Sequence, residues 1–216
     1  MRTLPRLVWI LPLVAACGGK GNAGAAAEPA PVVSRPLAAL AGQRTIVAPT
    51  YRMRESDPMG WTAQIPRSRE YLRSLDEAIE AELGQRGLKS LWVFPPALVR
   101  SMRGSPTYAV DPHALAADPL RSPQVAPGAK IGDPLVSQLR TMIALHDARF
   151  VLLPVDLRFD RDAAGQGLAI LRVDLIDGRL GEVRWVGEVR SDPAATFSPA
   201  LLASLAEHFA DLVTAR

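Results

Sequence analysis

The chain has 216 residues, 48% of them hydrophobic and 22% charged, with 25 Lys and Arg against 22 Asp and Glu and a single cysteine. That length supports one domain with a sizeable core, and a lone cysteine means the core is built without an internal disulfide. The net charge of +3 does not suggest a nucleic-acid partner, which needs positive charge clustered on one face.

The first residues are ordered like an export signal. Arg2 and Arg6 give a basic start, and Leu7 to Ala16 is an apolar run interrupted by Pro12. The run is roughly half of the ~20 residues needed to span a bilayer, so a cleaved signal over residues 1–16 is the better reading than a transmembrane helix. Its end, Leu13-Val14-Ala15-Ala16-Cys17, resembles the lipobox of bacterial lipoproteins, whose cysteine is acylated and becomes the first residue. Lipidation would also account for an unpaired thiol in an exported protein. Without Arg2 and Arg6 the basic residues number 23 against 22 acids, so the processed chain is close to neutral.

From Gly18 to about Pro36 the chain is rich in Gly, Ala and Pro and cannot form a core. It reads as a flexible tether, and about 20 such residues span ~25 Å. Residues 17–40 are therefore expected to be lipidated cysteine and tether, and residues 41–216 a single α/β domain.

Arg44 to Pro49 predicts a short strand. A helix follows, with Leu72, Leu75, Ile79 and Leu83 at helical spacing, Ser74 and Glu77 as a capping box, and Gly87 as the residue that ends it. Lys89 to Phe94 predicts a second strand, stopped by Pro95-Pro96. Asp133-Pro134 opens a second helix that buries Leu135, Leu139, Met142 and Ile143. Three strands follow, Phe150 to Phe159, Leu168 to Ile176 and Glu182 to Arg190, the last two joined by the turn Asp177 to Gly181. A final helix begins at Ser198-Pro199 and buries Leu202, Leu205, Phe209 and Leu212, with Phe197 placed to staple back onto Leu202.

The order β-α-β-α-β-β-β-α implies a mixed sheet of about five strands with helices packed on it. The first two strands would pair in parallel through a right-handed crossover, and the closing three as antiparallel hairpins. In those three, Val155, Leu157, Phe159, Leu171, Val173, Leu175, Val183, Trp185 and Val189 alternate with Asp156, Arg158, Arg172, Asp174, Arg184, Glu188 and Arg190. That predicts an apolar face and a charged face open to water. The charged face would be a solvated ion ladder or a surface for docking a partner.

Two connections are longer than a compact domain requires: Thr50 to Arg67, and Ser101 to Gly132 with its Pro-rich stretch. If the first two strands are parallel, both leave the same edge of the sheet, where open α/β sheets place ligands. They carry Tyr51, Arg54 and Trp61 on one side and Arg103, Tyr108 and His113 on the other. These six are the candidate partner-binding residues, because aromatics and arginine dominate interfaces. The bland alternative is that Trp61 and Tyr108 pin their loops to the domain.

Catalytic patterns are not found. The chain has no Gly-x-Ser-x-Gly elbow and no phosphate-binding glycine loop, and His113, His146 and His208 have no second ligand at metal spacing. The expectation is a protein that is not an enzyme and that holds no cofactor and no metal.

The segment Arg172-Val173-Asp174-Leu175-Ile176-Asp177, followed by Gly181-Glu182-Val183-Arg184-Trp185, is similar to a strand–turn–strand signature. It is that of the curli-secretion and synthase-activator lipoproteins (CsgG, LpoB and the amino-terminal domain of TolB). Asp147 to Leu152 resembles their helix end and entry into the sheet. The resemblance runs from about Thr45 to Val213, and the Pro-rich loop after Phe94 departs from the common pattern. It implies a non-catalytic module that binds or regulates a protein of an envelope assembly, anchored in the membrane by lipid. Gly18 rather than Asp after Cys17 implies the outer membrane, facing the periplasm. The auxiliary lipoproteins of lipid or small-molecule ABC transport systems share the plan, so a transport role stands as the alternative.

Overall fold

The computed structural model describes residues 35–55, 57–104 and 110–215. The candidate residues Cys17 and Tyr108, the signal at 1–16 and the tether up to residue 34 lie outside them. Four helices and a five-stranded mixed sheet make up the described domain. The strands are β1 (Thr45–Val47), β2 (Arg52–Met53), β3 (Phe150–Arg161), β4 (Gly167–Asp177) and β5 (Glu182–Arg190). The helices are α1 (Ser68–Gln85), α2 (Pro95–Arg103), α3 (Leu135–His146) and α4 (Ala200–Asp211).

The sheet order is β1-β3-β4-β5. Both β1 and the two-residue β2 run parallel to β3, which is long enough to take them one after the other. β3, β4 and β5 form the expected antiparallel meander. The predicted strand at 89–94 shrinks to a single parallel bridge between Ile46 and Val93, because Leu88–Ser90 turns as a 3-10 helix just before it. Pro95-Pro96 does not merely stop that segment. The two prolines open α2, where their missing N–H groups cost nothing.

Helix α1 begins six residues before the predicted capping box. Ser74 lies inside it and donates its hydroxyl to the Glu70 carbonyl at 3.2 Å. Its end matches the sequence, with Gly87 at φ 85°. The Arg86 guanidinium is buried and joins α1 to the end of α4, bonding Asp211 at 2.7 Å and the Thr214 carbonyl at 3.0 Å. At the other junction Phe197 packs on Trp61, Tyr71 and Phe159. The compact part also begins before residue 41. Leu37 and Leu40 are buried, and the Leu37 N–H donates to the Leu212 carbonyl at 3.0 Å.

Both faces of the sheet are covered, which corrects the expectation of one wet face. On one side Leu75, Ile79 and Leu83 of α1 and Leu205 and Phe209 of α4 pack over Leu152, Leu157, Phe159, Leu171 and Val173. On the other, Leu98 and Met102 of α2 and Leu139, Met142 and Ile143 of α3 pack over Ile46, Val151, Leu153, Val155, Ile176 and Val183. Two register irregularities divide the residues this way. One falls between Pro154 and Asp156, the other beside Leu175 and Ile176. An inserted residue breaks the two-residue period. Val155 is thereby separated from Leu157 and Phe159, and Val183 from Trp185 and Val189.

Candidate functional site

The carboxyl end of β1 meets the first two turns of α1 and the segment 111–115 around a groove of about 850 Å³. Each wall is held locally. The Tyr51 N–H bonds the Pro154 carbonyl and the Arg54 N–H the Leu157 carbonyl, which fixes the strand side. On the opposite wall the Asp111 carboxylate accepts the His113 N–H at 2.9 Å, a local turn that sets the histidine. Helix α1 supplies Ser68, Arg69, Leu72, Arg73 and Asp76, which share one face at a spacing of three and four.

Two predicted residues, Tyr51 and His113, come together in this groove. Burial and then the Asp118 carboxylate raise the Tyr51 pKa, with Arg52 and Arg121 opposing. Partial burial lowers that of His113; Asp111 opposes the shift, while Arg73, Arg69 and Arg103 add to it. Arg103 is exposed at the end of α2, outside the groove lining.

Trp61 and Arg54 are placed elsewhere. Trp61 is 3% exposed, and its ring lies 5.7 Å from Phe159 and 5.9 Å from Phe197. It belongs to the core and fastens the 54–67 connection to it. A Cβ on Gly167 would stand 2.2 Å from this indole, so only glycine fits beside it. Arg54 bonds the fully buried Asp156, which Arg121 approaches at 3.3 Å from the other side. Asp174 is also fully buried, 3.3 Å from Arg172. The charged residues of the sheet therefore do not form a solvated ladder; Arg158 with Glu188, at 2.9 Å, comes nearest to one.

The sequence reading missed Asp76. It is 5% exposed on the groove floor, and its Oδ1 accepts both the N–H of Thr50 at 2.9 Å and its hydroxyl at 2.6 Å. Burial pushes its pKa up to about 6, the Thr50 bonds pulling the other way. A signal was present, since position 76 lies four residues after Leu72, on the apolar stripe of the helix, where an acid is out of place. Arg69 and Arg73 were also missed. Both are exposed, and neither forms an ion pair or hydrogen bond among the described residues.

Asp174, raised to about 6 by burial against the pull of Arg172, shares with Asp76 a consequence for stability. Each holds its proton more tightly in the folded chain than in the unfolded one. Between pH 7 and pH 5 the folded state takes up protons that the unfolded state does not, so stability rises as pH falls. Each group contributes about 1 kcal/mol over that interval. The lowered pKa values of His113 and His146 act in the opposite direction over the same interval, so the test compares wild type with Asp174→Asn by denaturant unfolding at several pH values. The variant should lack about 1 kcal/mol of the wild type's gain between pH 7 and pH 5; parallel profiles would contradict this.

One serine–histidine pair occurs in the fold. Ser101 Oγ and His146 Nε2 are 2.7 Å apart, between α2 and α3. Ser101 Oγ also donates to the Leu98 carbonyl at 2.8 Å within its own helix. The pair ties α2 to α3. Among the described residues no group of three His, Cys, Asp or Glu could hold a metal, and no helix is long and apolar enough to cross a membrane.

No protein-family model and no curated protein matches the chain. Among solved structures it is similar to the PelC dodecamer from Paraburkholderia phytofirmans, at 12% identity over 85% of this chain and 95% of that one, with a TM-score of 0.40. It is also similar to the LpoB C-terminal domain from Salmonella enterica, at 15% identity over 69% and 82% of the two chains and a TM-score of 0.35. A third likeness is to lipoprotein GNA1162 from Neisseria meningitidis, at 17% identity, 75% and 90% coverage and a TM-score of 0.37. These likenesses decide nothing about function.

Proposed function

We propose that this chain is a lipoprotein anchored through Cys17, facing the periplasm from the outer membrane, and that its α/β domain is a non-catalytic module that docks a protein of an envelope assembly. The observation that carries the docking role is the groove at the carboxyl end of β1. It is open and polar, and it joins Tyr51 and His113, from two separate connections, with Arg69 and Arg73 of α1, which form no salt bridge among the described residues. Exposed arginine and tyrosine beside a concave surface are what a protein partner uses for its strongest contacts. The lipobox and the Gly/Ala/Pro segment 18–36 support the anchoring, with tether enough to let the domain reach a partner off the bilayer surface.

The test is site-specific photo-crosslinking in cells, with the reactive residue at Tyr51, at His113, and at Leu180 on the exposed β4–β5 turn as control. A discrete envelope-protein adduct is expected at the two groove positions, weakened by joint Arg69→Ala and Arg73→Ala substitution and absent at Leu180. Equal adducts at all three positions, or none, would overturn the docking role. Recovery of lipid instead of protein at Tyr51 would favour the transport alternative.

A further inference from the structure

Along α1 the groove lining changes sign, from Arg69 and Arg73 near the helix start to Asp76 further on, while Arg52, Glu55 and Asp111 line it from other segments. Helix α1 has no side-chain cap, and among the described residues the Ser68 and Arg69 N–H groups have no hydrogen-bond acceptor. A helix start of this kind favours negative charge, and two like charges four residues apart on a helix repel each other until an anion joins them. The floor has the opposite sign. Asp76 is fixed through Oδ1 by both bonds from Thr50, which leaves Oδ2 without a hydrogen bond among the described residues, on a residue that lines the groove. Seven residues of helix separate Arg69 from Asp76, about 10 Å along the axis. Tyr51, Met53 and Leu115 furnish apolar wall beside them.

Resting on the docking role proposed above, we infer that the groove receives an extended peptide segment of the partner, which places a lysine or arginine against Asp76 and an acidic side chain, about three residues away, beside Arg69 at the first turn of α1. Three residues of extended chain cover about 10 Å, which matches the separation of the two charged ends. The basic group would donate to Oδ2 in a desolvated setting, where a charge-assisted bond is at its strongest. The acid would relieve the repulsion between the two arginines. A segment with only one of these charges leaves the opposite end of the groove unpaired. A segment with the charges reversed would be repelled at both ends.

Calorimetric titration of the full-length protein in neutral detergent tests this, with the peptides acetyl-Lys-Gly-Gly-Glu-amide, acetyl-Ala-Gly-Gly-Glu-amide and acetyl-Lys-Gly-Gly-Ala-amide as probes. The doubly charged peptide is expected to bind about tenfold tighter than either of the others. Asp76→Asn, which keeps the shape and the acceptor for Thr50, should erase the advantage of lysine and leave that of glutamate. Joint Arg69→Ala and Arg73→Ala substitution should do the reverse. Equal affinity for the three peptides, or an advantage for lysine that survives Asp76→Asn, would overturn the inference. If a partner still crosslinks at Tyr51 while the peptides show no charge preference, the docking role stands and this rule for its ligand fails.

Discussion

Replacing Cys17 with serine is expected to abolish both the incorporation of labelled fatty acid and the retention of the protein in membranes. The physical basis is the energy of the anchor. Each buried methylene contributes ~0.8 kcal/mol, so several acyl chains on one residue hold the protein stably where a single chain is marginal. No helix among the described residues can substitute for them. The apolar run at residues 7–16 is about half a bilayer span, and it would be lost with the signal. Fractionation of cells that express wild type and Cys17→Ser, with labelling in parallel, gives a two-way answer. A serine variant that still sediments with membranes would remove the anchor and with it the proposed location. The domain of the serine variant should fold normally, because position 17 lies twenty residues before Leu37, the first buried residue described.

Trp61→Ala should cost about 3–5 kcal/mol of stability, the largest effect expected from any of the six candidate residues. The indole fills space among Phe159 and Phe197 and rests against Gly167, and a methyl group in its place leaves a cavity in a cluster of edge-to-face rings. The 54–67 connection would be left with Ile65 and the partly buried Met59 in the core, and it leads directly into α1, which carries Arg69, Arg73 and Asp76. Groove binding should therefore weaken only as much as folding does. By contrast, Tyr51→Ala should leave the melting temperature nearly unchanged, since that ring is only partly buried. Thermal unfolding of the two variants separates the roles. If Trp61→Ala melts like wild type, the ring is not the core element described here.

How far the sequence could be read depended on the range of the interactions. The period of three and four residues in α1, α3 and α4 and the positive-φ stop at Gly87 are local patterns. Each was visible as such. So was the mixed sheet, since strand–helix–strand and hairpin connections leave few alternatives. The second strand failed because Leu91, Trp92 and Phe94 look like strand residues. They are buried instead by contacts distant in sequence, such as the Trp92 Nε1 bond to the Leu40 carbonyl at 3.3 Å.

The site divided in the same manner. Tyr51 and His113 could be named as candidates from their loops, and the rule that ligands gather beyond the carboxyl ends of strands put them near one another. Their actual meeting rests on parallel β1 and β3 together with the buried segment around Leu115 and Leu120. Trp61 was misplaced as a surface candidate because a loop tryptophan reads alike whether it faces a partner or its own core. Only packing against Phe159 and Phe197 decides.

By itself the sequence determined the class of fold and the residues of the helical stripes, which depend on near neighbours along the chain. The tertiary structure alone decided three further matters. Two irregularities in the ladder sent Val155 and Val183 to a second core, because one added residue inverts every side chain beyond it. Helices on both sheet faces buried Asp156 and Asp174. The fold also brought Thr50 within 2.6 Å of Asp76, a pairing across 26 residues that makes an unremarked acid the floor of the groove.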